Sequence, residues 1–202
     1  MKNLAFVFLI ILCFIASLFL CTEETTKRER IEEKIIDADI IRIMKTLDSY
    51  NSDLSMTEKY LYAKNILLLE RKYRNIGITE LIAINKVETN MKHRKKGKMI
   101  VTGKNDFGIS QLDANTARGI ASRHGLRWRD EYIHDPALNV YVAGLYLSDL
   151  KQEHKYNKFV FESYNRGPIN KKKIKNFPYW KKIEKAIQEI KEKINRRSNY
   201  EN

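Results

Sequence analysis

The chain has 202 residues, 43% hydrophobic and 10% aromatic, which supplies a real core and excludes wholesale disorder. Glycine (8) and proline (3) are scarce, which argues against a sandwich or barrel and for a helical protein. The formal net charge of +13 attracts anions of every kind, but the basic residues are spread along the chain and so single out no partner class.

Leu4 to Cys21 is apolar except for Ser17. As a helix it would reach about 27 Å, close to a hydrocarbon core of about 30 Å. Phe14-Ile15-Ala16 and Ile15-Ala16-Ser17 make poor cleavage sites because a bulky residue stands at the third position back. Residues 1–22 are therefore expected to form an uncleaved signal anchor, with a cleaved signal peptide as the alternative. Lipid attachment at Cys21 ranks third, because Leu18-Phe19-Leu20 puts no small residue before the cysteine. Counting only Lys2 against Lys27, Arg28 and Arg30, the flanking charge places the C-terminal part in the cytoplasm by a small margin. The second cysteine, Cys13, is also in the leader, so the rest of the chain has neither a disulfide framework nor a cysteine metal site.

Residues 23–74 read as accessory or stalk helices. The first, over 27–51, carries Ile36, Ile40, Ile43, Leu47 and Tyr50 at spacings of three and four. Asn51 to Leu54 break it. Ser55-Met56-Thr57-Glu58 is a capping box that opens a helix to about Arg74. A helix from Thr79 to about Met91 follows Gly77. Next come a basic loop, His93 to Lys98, and two extended pieces, Met99 to Thr102 and Phe107 to Leu112, joined by a turn at Gly103 to Asp106. Ala114 to His124 reads as helix capped by Asp113 or Asn115. Asp135-Pro136 starts a long helix to about Glu153. A short helix runs from Phe159 to Tyr164. The last, about Pro178 to Arg196, has Trp180, Ile183, Ile187, Ile190 and Ile194 on one face. The four histidines, His93, His124, His134 and His154, are too scattered for a metal site and are expected at the surface. No metal and no cofactor is expected.

Three short motifs carry chemistry. On the Thr79–Met91 helix, positions 81, 84, 88 and 91 share a face, so Glu88 interrupts the apolar stripe of Leu81, Ile84 and Met91. Burying a carboxyl group there disfavours its charged form and raises its pKa. An acid kept protonated near neutral pH can hand its proton to a glycosidic oxygen. About twenty residues on comes Gly108-Ile109-Ser110-Gln111, where glycine lets backbone pass close to a ligand and the Gln111 amide can donate and accept to a sugar. Some fifty residues later stands Tyr164-Asn165-Arg166-Gly167-Pro168.

In this order and at this spacing the motifs resemble the active site of soluble lytic transglycosylases, lysozyme-like enzymes that cut peptidoglycan. Those read G-L-M-Q followed by a helix beginning near T-A, and here Gln111 precedes Thr116-Ala117. They read A-Y-N-A-G-P where this chain has Ser163 to Pro168. Their D-P-x-x-N-I-x-x-G-x-x-Y-L helix is matched by Asp135-Pro136, Asn139-Val140, Ala143-Gly144 and Tyr146-Leu147. Ser110 replaces a methionine, Thr89 a serine, and Ser163 and Arg166 two alanines. The likeness covers Tyr73 to Pro168.

The resemblance implies an α+β, mostly helical fold, with a lysozyme-like domain over 75–170 and a small extended excursion; the basic C-terminal helix over 171–202 lies outside it. It implies Glu88 as the single general acid and base, with Thr89, Gly108, Ile109, Ser110, Gln111, Tyr164 and Asn165 binding substrate. The expected reaction cleaves the bond between N-acetylmuramic acid and N-acetylglucosamine with 1,6-anhydro ring closure. Glycosidases generally use two carboxyl groups, and Asp106 and Asp113 keep hydrolysis by a goose-type-like muramidase open. A non-catalytic wall-binding protein is a further alternative. Nucleic-acid binding is not expected, since only the charge speaks for it. The expected partners are peptidoglycan strands and, through the leader, a membrane. That places the catalytic domain on the extracytoplasmic side, against the charge count.

Overall fold

The computed structural model describes residues 34–102, 105–169 and 174–198. The leader and the Cys21 question lie outside the described residues, as does the beginning of the first expected helix. Among the described residues no helix is long and apolar enough to cross a membrane. The chain divides into two units, Met1–Asp39 and Ile40–Asn202. The second holds the core and is described below.

Among the described residues seven helices dominate. α1 covers 34–48, and from Ile40 onward it buries Ile40, Ile43 and Leu47. α2 (Met56–Lys72) starts at the expected capping box: the Ser55 side chain accepts from Glu58 N–H while the Glu58 carboxylate accepts from Ser55 N–H. α3 (Ile78–Thr89) begins after Gly77 and ends where Asn90 and Met91 both take left-handed backbone. α4 (Ala114–Arg123) is capped by Asp113, whose carboxylate accepts from Thr116 N–H. α5 (Pro136–Glu153) is capped by Asp135 through Ala137 and Leu138 N–H. α6 (Asn157–Arg166) and α7 (Pro178–Ser198) complete the set. A 3-10 turn at Asp130–His134, which the sequence pattern did not suggest, leads into α5.

α5 is the axis of the unit and is buried over most of its circumference. α2 crosses it so closely that a Cβ on Gly144 would stand 2.5 Å from Leu69 Cδ1. The glycine in the Ala143-Gly144 motif is therefore a helix-packing residue. α3 packs along α7, and α6 lies between α5 and α7.

The extended excursion is smaller and differently divided than expected. The basic loop is itself a hairpin, β1 (Arg94–Lys95) with β2 (Lys98–Met99), turned by Lys96 and Gly97 at positive φ. A second sheet has the order β3 (Val101–Thr102), β4 (Asp106–Phe107), β5 (Leu112–Asp113), all antiparallel. Phe107 to Leu112 is not one strand. Gly108 and Gln111 have φ of 72° and 45° and fold the four residues between β4 and β5 into a turn.

Two further expectations need correction. His93 and His154 are buried, 1% and 4% exposed, and not at the surface. His93 Nε2–H donates to His134 O at 2.8 Å, and His154 Nε2 pairs with Ser163 Oγ at 2.8 Å. The buried face of α7 is Tyr179, Ile183, Ala186 and Ile190. The large side chains at 180 and 187 dominated the sequence pattern, but both are only half-buried, and Trp180 stacks on Phe161 at 5.4 Å.

Candidate active site

A groove of about 320 Å³ opens between the second sheet, the ends of α3 and α6, the first turn of α4 and the middle of α5. Glu88, Asp106, Gln111, Asp113, Tyr146, Tyr164, Asn165 and Arg166 line it, together with Thr102, Leu112, Thr116 and Gly167. Glu88 reaches it from the last turn of α3. Leu81, Ile84 and Met91 on the same face are fully buried, whereas Glu88 is half-buried at the rim. Burial pushes its carboxyl group above the ordinary glutamate range, and the nearby charge of Asp106 adds to this. A hydrogen bond from the Tyr179 hydroxyl and the charge of Lys182 oppose it. Burial outweighs the opposing effects, so the site holds the Glu88 proton more tightly than an exposed glutamate would.

Tyr179 is the residue closest to the chemistry that the sequence reading missed. It is 6% exposed, and its hydroxyl donates to Glu88 Oε1 at 2.5 Å. Burial and the facing carboxyl group drive its own pKa far up, so it stays a donor. The signal was the four-three-four spacing of 179, 183, 186 and 190, hidden because alanine and tyrosine look unremarkable beside isoleucine and tryptophan.

Four of the eight residues singled out from the sequence come together on the groove: Glu88, Gln111, Tyr164 and Asn165. Thr89, Gly108, Ile109 and Ser110 stand behind its wall. The Thr89 hydroxyl donates to Ile109 O at 3.0 Å and to Asn85 O at 3.1 Å, fastening α3 to the turn. Ile109 and Ser110 are wholly buried. A Cβ on Gly108 would stand 2.9 Å from Asn139 Nδ2 and 3.1 Å from His93 Cε1, and its φ of 72° favours glycine as well. Asn139, fully buried on α5, accepts from Ser110 N–H at 2.9 Å and donates to Phe107 O at 3.0 Å and Ile133 O at 3.3 Å. This is the task of the asparagine in the Asp135-Pro136 motif.

Gln111 lines the groove, but its amide is already engaged. Its Nε2 donates to Gly108 O at 2.6 Å and Ile100 O at 3.3 Å, while Oε1 accepts from the Thr102 hydroxyl. Tyr164 is fully buried at its hydroxyl end and donates to Ser110 O at 3.1 Å, tying α6 to the turn, with the Tyr146 ring 5.3 Å away. Asn165 is exposed at the rim. Asp106 and Asp113 face each other across β4 and β5, and partial burial together with the Asp113 charge raises the pKa of Asp106.

With this arrangement in place, comparison with known proteins is decisive at the level of family. The family model described as "Transglycosylase SLT domain" matches residues 69–187, more than half of the chain. The chain belongs to the SLT transglycosylase family. The matched span begins in α2 and ends within α7, so it contains Glu88, the Gly108–Gln111 turn, Tyr164 and Tyr179. No curated protein and no solved structure matches it significantly. Membership in the SLT family carries lytic transglycosylase activity on peptidoglycan as the general function.

Proposed function

We propose that this SLT-family chain cleaves the β-1,4 bond between N-acetylmuramic acid and N-acetylglucosamine with Glu88 as its single acid and base. One observation carries the reading: a half-buried carboxyl group with raised pKa stands on an open groove and is held by one phenol. Protonated Glu88 gives its proton to the leaving oxygen as the glycosidic bond breaks. As a carboxylate it then takes the proton of the muramoyl C6 hydroxyl, whose oxygen closes the 1,6-anhydro ring. No water is consumed. In this reading Asn165, exposed at the rim, contacts the sugars, while Thr89, Gly108, Ile109 and Ser110 shape the wall. Access to wall glycan requires the catalytic unit to lie outside the cytoplasmic membrane, in keeping with the apolar leader read as an anchor.

Hydrolysis is the second reading, because Asp106 and Asp113 line the same groove and the charge of Asp106 acts on Glu88. A carboxylate there can hold a water. Mass spectrometry of digested sacculi separates the two, since anhydro and reducing ends differ by one water. Glu88→Gln should reduce sacculus solubilisation by at least about a thousandfold with the circular dichroism spectrum unchanged. An active, folded Glu88→Gln protein would leave a different residue as the acid.

A further inference from the structure

α7 starts without a capping side chain of its own. Its first residue is Pro178, and Phe177 before it has no acceptor to offer. The N–H groups of Tyr179 and Trp180 are taken instead by Glu162 Oε1, at 2.8 and 3.2 Å, from the middle of α6. Glu162 is fully buried, and its second oxygen lies 3.1 Å from Arg166 Nε. A buried carboxyl group is costly unless its oxygens have partners; here the start of another helix uses Oε1, and the Arg166 guanidinium is the ionic partner of Oε2.

A plain structural cap would fit these facts, but the donor it captures belongs to a particular residue. Tyr179 is gripped at both ends: its N–H by Glu162 and its hydroxyl by contact with Glu88 Oε1 at 2.5 Å. The other partner, Arg166, lines the groove with Glu88. We propose that Glu162 is a positioning residue for catalysis: by capping α7 it fixes where the Tyr179 hydroxyl meets Glu88. The inference rests on Glu88 being the acid. The first turn of a helix has free N–H groups and frays unless they are bound, and fraying at Pro178–Trp180 would carry the phenol away from Glu88.

The groups facing Glu88 are Tyr179 and Lys182 from α7, Asp106 from β4 and Tyr164 from α6, with Asp113 facing Asp106. Those facing Glu162 are Arg166 on its own helix and Tyr179 on α7. Glu162 therefore reaches Glu88 through Tyr179.

Two substitutions in the full chain separate position from charge. Glu162→Asp keeps the carboxylate but withdraws its oxygen by one methylene; Glu162→Gln keeps an acceptor at the same reach and drops the charge. The measurement is the pH dependence of sacculus solubilisation, with kcat and apparent KM at each pH. The Tyr179 hydroxyl favours the charged form of Glu88, so its loss raises the Glu88 pKa and moves the alkaline limb of the profile to higher pH. Glu162→Asp should move that limb upward as Tyr179→Phe does, lower kcat by about tenfold with KM unchanged, and add little when combined with Tyr179→Phe. Glu162→Gln should move the limb far less. A wild-type limb in Glu162→Asp, an equal shift in Glu162→Gln, or losses that multiply in the double variant would overturn the assignment. If Glu162→Asp does not fold, Glu162→Gln and Tyr179→Phe decide it: the limb must move far more in the second than in the first, and any other pairing overturns it. Failure of the underlying reading looks different, because Glu88→Gln would then remain active.

Discussion

On the sheet side of the groove, nearly every fixing contact ends on main chain. Asn139 bonds Ser110 N–H and two carbonyls, Gln111 bonds Gly108 O and Ile100 O, and Thr89 and Tyr164 each bond a carbonyl of the Gly108–Gln111 turn. On the α7 side the contacts run in series, from Glu162 to the start of α7, through Tyr179, to Glu88. The first wall is over-determined, since four side chains from α3, α5, α6 and the turn itself hold a segment of four residues. The second is a single line, in which each link depends on the one before. A wall with redundant ties should lose stability when its hub is removed. A line should lose function at whichever link is cut.

The largest effect is expected at the hub. Asn139→Leu keeps the branched heavy-atom skeleton but leaves Ser110 N–H and the Phe107 and Ile133 carbonyls without their partner in a buried place. Unmet buried polar groups cost about 1–3 kcal/mol each, so chemical denaturation should show a loss of at least about 3 kcal/mol. A loss below about 1 kcal/mol would mean that Gln111, Thr89 and Tyr164 hold the turn without Asn139, and that the wall has no hub.

Cutting the line should act on rate more than on stability. Tyr179→Phe removes one hydroxyl and keeps the ring packed on α3. Its expected signature is a fall in kcat of about tenfold or more, with the alkaline limb moved upward and little change in denaturation midpoint. If it destabilises the chain as much as Asn139→Leu, the two walls are not built differently after all.

This contrast also accounts for what the sequence disclosed. Local chemistry was legible: Ser55 with Glu58, Asp113 and Asp135 as caps, and Pro136 at a first turn all form the helix starts expected of them. The Glu88 stripe was legible because a carboxyl group among Leu81, Ile84 and Met91 breaks a period of 3.6. The turn was legible as a motif, but its structural task was not. Gly108 and Gln111 were expected as sugar contacts; their positive φ and main-chain bonds give them a second task, bending the sheet wall, and Gln111 also lines the groove. His93 and His154 were placed outside because their partners, His134 O and Ser163 Oγ, are 41 and 9 residues away. Tyr179 was out of reach for the same reason, since it meets Glu88 across 91 residues. Periodicity reports which face of a helix is buried, not what that face will touch.

The smallest expected effect concerns stability and tests the rim at which the two walls meet. Burial raises the Glu88 pKa above the value of about 4.3 that a glutamate has in an unfolded chain. The folded protein then holds that proton more tightly than the unfolded one. The resulting contribution is fully present below the unfolded pKa and is lost as pH rises through the folded value. Glutamine does not titrate, and its amide oxygen can still accept from Tyr179. Thermal melting of Glu88→Gln against wild type should therefore show the variant gaining on wild type as pH increases from 4 upward, with the difference levelling off once Glu88 has ionised in the fold. A difference that stays constant with pH would mean that Glu88 is as well solvated in the fold as outside it. One of opposite sign would mean that Tyr179 and Lys182 outweigh burial, leaving Glu88 charged where the proposed chemistry needs it protonated.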